Sequence, residues 1–164
     1  MSWHARVLGP DDADAWAAVR LEALQLYPQN FLTTAAEFAA RGVGDHRALL
    51  AQGKSWGLFG GELAGIAGFI PAPQAAAAHR AEIGAFYVRP SYHGSGAADA
   101  LMRALIDHAR AKGIWQLELY VADTNPRGQR FYARHGFTPE GRLPNAALID
   151  GVMTTDIFMV ADLR

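Results

Sequence analysis

The sequence predicts an α/β protein, a single domain over residues 1–164 with a mixed central β-sheet and helices on both faces. Three observations predict it. Leu117, Leu119 and Val121 alternate with polar neighbours, the period of a strand. Over 96–112 the period becomes helical: Ala98, Leu101, Met102, Leu105, Ile106 and Ala109 form one stripe, with Asp99, Arg103, Asp107 and Arg110 opposite. This helix stands between two strand-like runs, 82–88 and 117–121, and such a succession favours a right-handed parallel crossover.

The remaining elements follow in order. Residues 5–8 read as a first strand, and Pro10-Asp11-Asp12 opens a helix with acidic residues in its first turn. That helix carries Trp16, Val19, Arg20 and Leu24 and stops before Pro28. A second begins at Thr33 or Thr34 and carries Phe38 before Gly42, with a further turn over 45–52. Residues 56–59 and 63–70 flank Gly60-Gly61, a pair suited to a two-residue hairpin turn. Pro71 starts a Pro/Ala loop that ends at Ala78. Gly113 is the natural stop of the long helix. A shorter helix spans 125–134 and is closed by Gly136, and strands at 137–142 and 154–160 are joined by a loop containing Asp150-Gly151.

Composition narrows the function. Fifteen Lys and Arg against sixteen Asp and Glu leave a net charge of −1, so no basic footprint for nucleic acid is present. The absence of cysteine excludes disulfides, a thiol nucleophile and a cysteine-ligated zinc, and it fits a reducing compartment. The six histidines have no paired ligand spacing, so no metal is expected. The first residues contain no apolar core of a signal peptide, and no apolar run reaches membrane-spanning length. A cytoplasmic protein is expected, with no nucleic-acid or membrane partner; a homodimer is left open.

The most informative stretch is the loop after the fourth strand, Val88-Arg89-Pro90-Ser91-Tyr92-His93-Gly94-Ser95-Gly96-Ala97-Ala98. A glycine-containing loop that feeds a helix can aim unpaired N–H groups at an anion, where the helix dipole also favours negative charge. A plain tight turn would have the same local composition. A second stretch, Asn125-Pro126-Arg127-Gly128-Gln129-Arg130-Phe131-Tyr132-Ala133-Arg134-His135-Gly136-Phe137, begins with a residue able to cap a helix.

Together these stretches resemble motifs A and B of the GCN5-related N-acetyltransferases, in the right order and separated by one helix and one strand. His93 stands where that family usually has glutamine or arginine. The resemblance implies a GNAT-like fold and acetyl-CoA as co-substrate. In that reading His93, Gly94, Ser95, Gly96, Ala97 and Ala98 hold the diphosphate. Asn125 contacts the pantetheine arm, and the backbone of Phe86, Tyr87 and Val88 receives the acetyl carbonyl. Arg127 and Arg130 meet CoA phosphates or form a solvated face. Tyr132 is the expected acid for the leaving thiolate.

Glu82 is the expected general base, since it lies at the position of the glutamate used by the histone-acetylating branch; an edge carboxylate is the other reading. His79 is a weaker candidate base. Glu118 and Tyr120 share a strand face and are candidates to line the amine side. Tyr27, Phe31 and Trp56 are candidate pocket walls, or else core. The acceptor is a small-molecule or peptide primary amine, attacked directly in a ternary complex because no cysteine can carry the acetyl group. Transfer of a larger acyl group, or a CoA-binding regulatory module without turnover, are the alternatives.

Overall fold

Seven strands join into one mixed sheet in the computed structural model, which describes residues 2–164. They are β1 (His4–Val7), β2 (Ser55–Gly60), β3 (Glu62–Pro71), β4 (Arg80–Val88), β5 (Gln116–Ala122), β6 (Thr138–Ile149) and β7 (Val152–Asp162). The helices are α1 (Ala13–Leu26), α2 (Ala35–Ala39), α3 (Val43–Leu50), α4 (Ala97–Ala111) and α5 (Pro126–Arg134). Across the sheet the strands run β1-β2-β3-β4-β5-β7-β6. Only β4 and β5 pair in parallel, joined through α4.

Several boundaries differ from the sequence reading. Pro10–Asp12 is a separate 3-10 turn, and Asp12 is turned back to accept from the Gly9 N–H at 2.8 Å while pairing with Arg6. The expected turn at 45–52 is a full helix, α3, which starts at Val43. Asp150 and Gly151 both have positive φ, 51° and 76°, and make a two-residue hairpin turn. Strands β6 and β7 consequently reach Ile149 and Val152, where the sequence suggested a longer loop. Pro139, Pro144 and Asn145 hide this extension. They sit at two register shifts, and Asn145 takes a φ of 53°.

Both faces are covered. On one, α4 buries Leu101, Met102 and Leu105 against Trp56, Leu58, Phe69, Ile83, Leu117 and Leu119. On the other, α1 to α3 bring Trp16, Val19, Leu24, Phe38 and Leu50 onto Leu63, Ile66 and Tyr87.

Strand β4 changes its facing partway along. Ala81 and Ile83 point to the α4 side. Side chains alternate along a strand, so residues 85 and 87 should follow. Instead Phe86 and Val88 point there, and Tyr87 joins the opposite core. One extra residue explains the reversal. Ile66 pairs with Tyr87 but Gly68 pairs with Gly84, and Ala85 between them has a φ of 48°. This is a β-bulge, which bends the strand and switches the facing of all that follows.

Candidate active site

Strands β4 and β5 pair over three positions only, Arg80 with Gln116, Ala81 with Leu117 and Glu82 with Glu118. Beyond them β4 bulges, and the two strands line opposite walls of a cleft. Ligands of parallel sheets commonly bind at the carboxyl ends of such strands. The cleft is about 500 Å³ and is lined by β4 from Ile83 to Val88, by Tyr120, Val121 and Ala122, and by the starts of α4 and α5. Tyr27 and Phe31 close it from the α1 side.

The loop into α4 has two left-handed glycines, Gly94 (φ 77°) and Gly96 (φ 85°), a conformation that other residues enter only with strain. His93 Nε2 donates to the Val88 carbonyl at 3.0 Å, and Ser95 Oγ donates to the Tyr92 carbonyl, so both side chains brace the loop from within. The N–H groups of Gly94, Gly96, Ala98 and Asp99 find no protein acceptor among the described residues. Four free donors at the start of a fifteen-residue helix fit an anion such as a diphosphate. Asp99 would oppose that charge, but it is turned toward α5, where it accepts from His135 Nε2 at 2.8 Å and pairs with Arg134 at 3.1 Å. These partners hold its carboxyl below the usual range, His135 foremost.

Helix α5 supplies the other wall. Asn125 caps it by accepting from the Gly128 N–H at 3.0 Å, and Pro126 occupies the first helical position. A side chain at Gly128 would fall within 2.6 Å of the Asn125 amide, so a small residue is needed for the cap to close. Arg127, Phe131, Tyr132 and Arg134 line the cleft, whereas Arg130 is exposed and lines neither cavity. Tyr132 stands edge-on to Phe86 and Phe137, at 6.2 and 5.9 Å between ring centres. Burial pushes its phenol above the usual value, and its hydroxyl makes no hydrogen bond among the described residues. The Tyr87 hydroxyl is differently placed, since it donates to Glu22 on α1 at 2.8 Å. Its hydroxyl is therefore already engaged, and its backbone pairs with Ile66 of β3.

A second cavity, about 470 Å³, opens on the α1 side of the sheet. It shares Asn30, Phe31, Ile83, Gly84, Ala85, Tyr120 and Ala122 with the first, so the two meet where β4 and β5 part. Glu82 lines it, along with Arg20, Asp156 and the β6 segment near Ala147. Lost hydration, and then the nearby Glu118, raise the Glu82 carboxyl above its ordinary pKa, although the residue as a whole is exposed.

Besides Arg130, three expected residues are placed elsewhere. Glu118 is buried and clamped by Arg80, with the Arg80 Nη2 to Glu118 Oε1 distance at 2.7 Å, and Gln116 donates to it as well. It lines neither cavity, while Tyr120 on the same face lines both. Trp56 is core, edge-on to His108 beneath α4, rather than a pocket wall. His79 packs on Trp115 and lines neither cavity. Sequence reasoning missed Arg20 and Asp156. For Arg20 a signal existed, a charge four residues from both Trp16 and Leu24 in a buried stripe.

Comparison with known proteins gives a consistent picture. Residues 17–137 match the acetyltransferase (GNAT) family. An uncharacterized N-acetyltransferase of Mycobacterium tuberculosis is 43% identical over 60 residues, 37% of this chain and 38% of that protein. A mycothiol acetyltransferase of Beutenbergia cavernae is 40% identical over 58 residues, 35% of this chain and 20% of the relative. The chain thus spans well under half the length of these relatives. A candidate acetyltransferase from Salmonella typhimurium, solved with its cofactor acetyl-CoA, superposes with a TM-score of 0.84 at 19% identity, covering 100% of this chain and 95% of that one. At that identity the likeness is one of fold.

The glycine loop generates a direct prediction. Gly96→Val forces a β-branched residue into a left-handed position, at a cost of roughly 1–2 kcal/mol or more. A domain has about 5–15 kcal/mol in hand, so the variant stays folded while its loop amides are misdirected. Calorimetry with CoA as the phosphate-bearing probe should find binding lost in a variant with wild-type circular dichroism. Unchanged affinity would remove this loop from the site.

Proposed function

The chain belongs to the acetyltransferase (GNAT) family, and from that premise we propose that it transfers an acetyl group from acetyl-CoA to a primary amine by direct attack in a ternary complex. One observation carries the reading. A cleft with four unpaired helix-start amides meets a second cavity bearing a carboxylate at the point where β4 and β5 part. The co-substrate supplies an activated acyl carbon and a thiolate leaving group.

The chain's own residues supply the rest. The N–H groups of Gly94, Gly96, Ala98 and Asp99 bind the diphosphate, with His93, Ser95 and Ala97 shaping the loop. Arg127 adds positive charge at the rim and Arg130 further out on α5. Asn125 holds the start of α5 beside the pantetheine arm. The segment Phe86, Tyr87 and Val88 follows the bulge and has no β5 partner, which leaves backbone N–H groups free to donate to the carbonyl oxygen as charge grows on it.

Glu82 takes a proton from the arriving ammonium, directly or through a water. The neutral nitrogen bonds to the acyl carbon and gives up a second proton to water, the carbon–sulfur bond breaks, and Tyr132 gives its proton to the sulfur and is reprotonated from solvent. The surroundings of both groups support these roles. Tyr132 carries its proton at neutral pH, as an ordinary phenol does, and burial shifts its pKa further upward. Glu82 is a stronger base than an ordinary carboxylate because its pKa is raised as well.

Two variants test the assignment on the best amine from a panel. Tyr132→Phe removes only a hydroxyl, so kcat should fall by about 10²-fold or more with acetyl-CoA affinity nearly intact. Full retention of kcat would move the proton donor elsewhere. For Glu82 the sign is fixed by its raised pKa. The base form exists only above that value, so kcat/KM should rise with pH along a limb displaced above the ordinary glutamate range. Glu82→Gln should lose that limb and recover only near the amine's own pKa, about 10 for a lysine-like group. Superimposable wild-type and variant profiles would make Glu82 structural.

A further inference from the structure

The acceptor-side cavity is lined by a partly buried cation that forms no ion pair among the described residues, although Glu82 and Asp156 line the same cavity. Arg20 projects from α1 into its lining, with its guanidinium 4.8 Å from the centre of the Phe31 ring. Its Nη1 is buried and has no hydrogen-bond partner among the described residues. The nearest carboxylate in sequence, Glu22, is taken by the Tyr87 hydroxyl and by Arg89. Lost hydration, and then the charge of nearby Arg41, bring the Arg20 pKa down to about 10, so the group is still a cation at neutral pH. A buried charge with no partner is strongly unfavourable, and proteins keep such groups where a ligand completes them. The planar, five-donor guanidinium matches an oxyanion in two-pronged fashion.

We infer that Arg20 is the acceptor's carboxylate anchor, and that the amine substrate is a zwitterion of the free amino-acid class. Its carboxylate pairs with Arg20 while its ammonium group reaches Glu82 on β4, in the same cavity. A plain amine or polyamine would leave the guanidinium unpaired and bring a second positive charge beside it. The inference rests on the acetyl-transfer reading and narrows it to a substrate class.

The test uses wild type, Arg20→Met and Arg20→Lys with acetyl-CoA. The probes are the twenty standard L-amino acids and their carboxamides, which keep the amine and lose the charge. Wild type should favour the best acid over its amide by roughly 10- to 10²-fold in kcat/KM, the scale of one charge-assisted pair. Arg20→Met should lose that preference through KM rather than kcat while still acting on the amide, and Arg20→Lys should restore part of it. Without substrate, Arg20→Met should melt no lower than wild type, because it removes an unpaired buried charge. A merely structural arginine predicts a lower melting temperature and equal losses on acids and amides.

Amides equal to acids in wild type, or no turnover of any amino acid while other amines are acetylated, would overturn the anchor and leave acetyl transfer standing. Acetyl-CoA binding with no amine of any kind acetylated would instead defeat the transfer reading. Calorimetry with the amino acids alone then judges the anchor, which is upheld by binding that Arg20→Met abolishes and overturned by binding that it leaves unchanged or by no binding at all.

Discussion

Strands β4 and β5 begin as an ordinary parallel pair and part after Glu82 and Glu118. Every feature of the site depends on that parting. A parallel sheet that kept its ladder would spend the backbone groups of both strands on each other and leave no space between them. Here the extra residue at Ala85 bends β4, and its remaining length turns to α1 and α4 for packing. The positive φ at Ala85 costs of order 1–3 kcal/mol, and the two cores that grip the strand on either side offset it. Tyr87 anchors one side through Glu22, and Phe86 and Val88 pack on the other.

The bulge also sorts the chemistry by face. Upstream of it, Glu82 faces the α1 side and meets the second cavity. Downstream, Phe86 lies against Phe131 and Tyr132 of α5. The two carboxylates that pair across β4 and β5 are driven apart in character. Glu118 is clamped by Arg80 and held below its ordinary pKa, while Glu82 has no such partner, feels Glu118 and rises. Neighbouring carboxyls with opposed shifts recur where a protein needs one to carry charge and the other to exchange a proton. The buried ion pair is structural, and in the proposed mechanism the exposed residue is the one that exchanges a proton.

Much of this is legible in the sequence because local rules decide it. The α4 stripe, the stop at Gly113, the cap at Asn125 followed by Pro126, and the glycines before α4 all follow from residue chemistry within one or two turns. The resemblance at 88–98 and 125–137 rests on the same positions. What escapes the sequence is set by partners far along the chain. In Gly84-Ala85-Phe86 the one local hint of a bulge is Gly84, and it does not say that Ala85 takes the positive φ; the departure of β5 and the two cores impose that. Glu118 and Glu82 look alike until the register sets Arg80 beside one of them. Trp56 alternates with Leu58, which already favoured a core position over a pocket wall. The lengths of β6 and β7 are hidden by prolines sitting at register shifts, although the Asp150-Gly151 turn itself is readable.

The central claim is that a CoA ligand is held by backbone amides at the parted strands and the α4 start, with the acceptor cavity meeting that cleft only where β4 and β5 part. A residue-resolved amide NMR titration with acetyl-CoA reads this directly. The account predicts the largest shifts at Gly94, Gly96, Ala98 and Asp99 and along 84–88, with the amides of Arg20 and the β6–β7 turn nearly unmoved. Shifts concentrated around Arg20, Thr33 and Ala147, with the Gly94 and Gly96 amides unchanged, would contradict it.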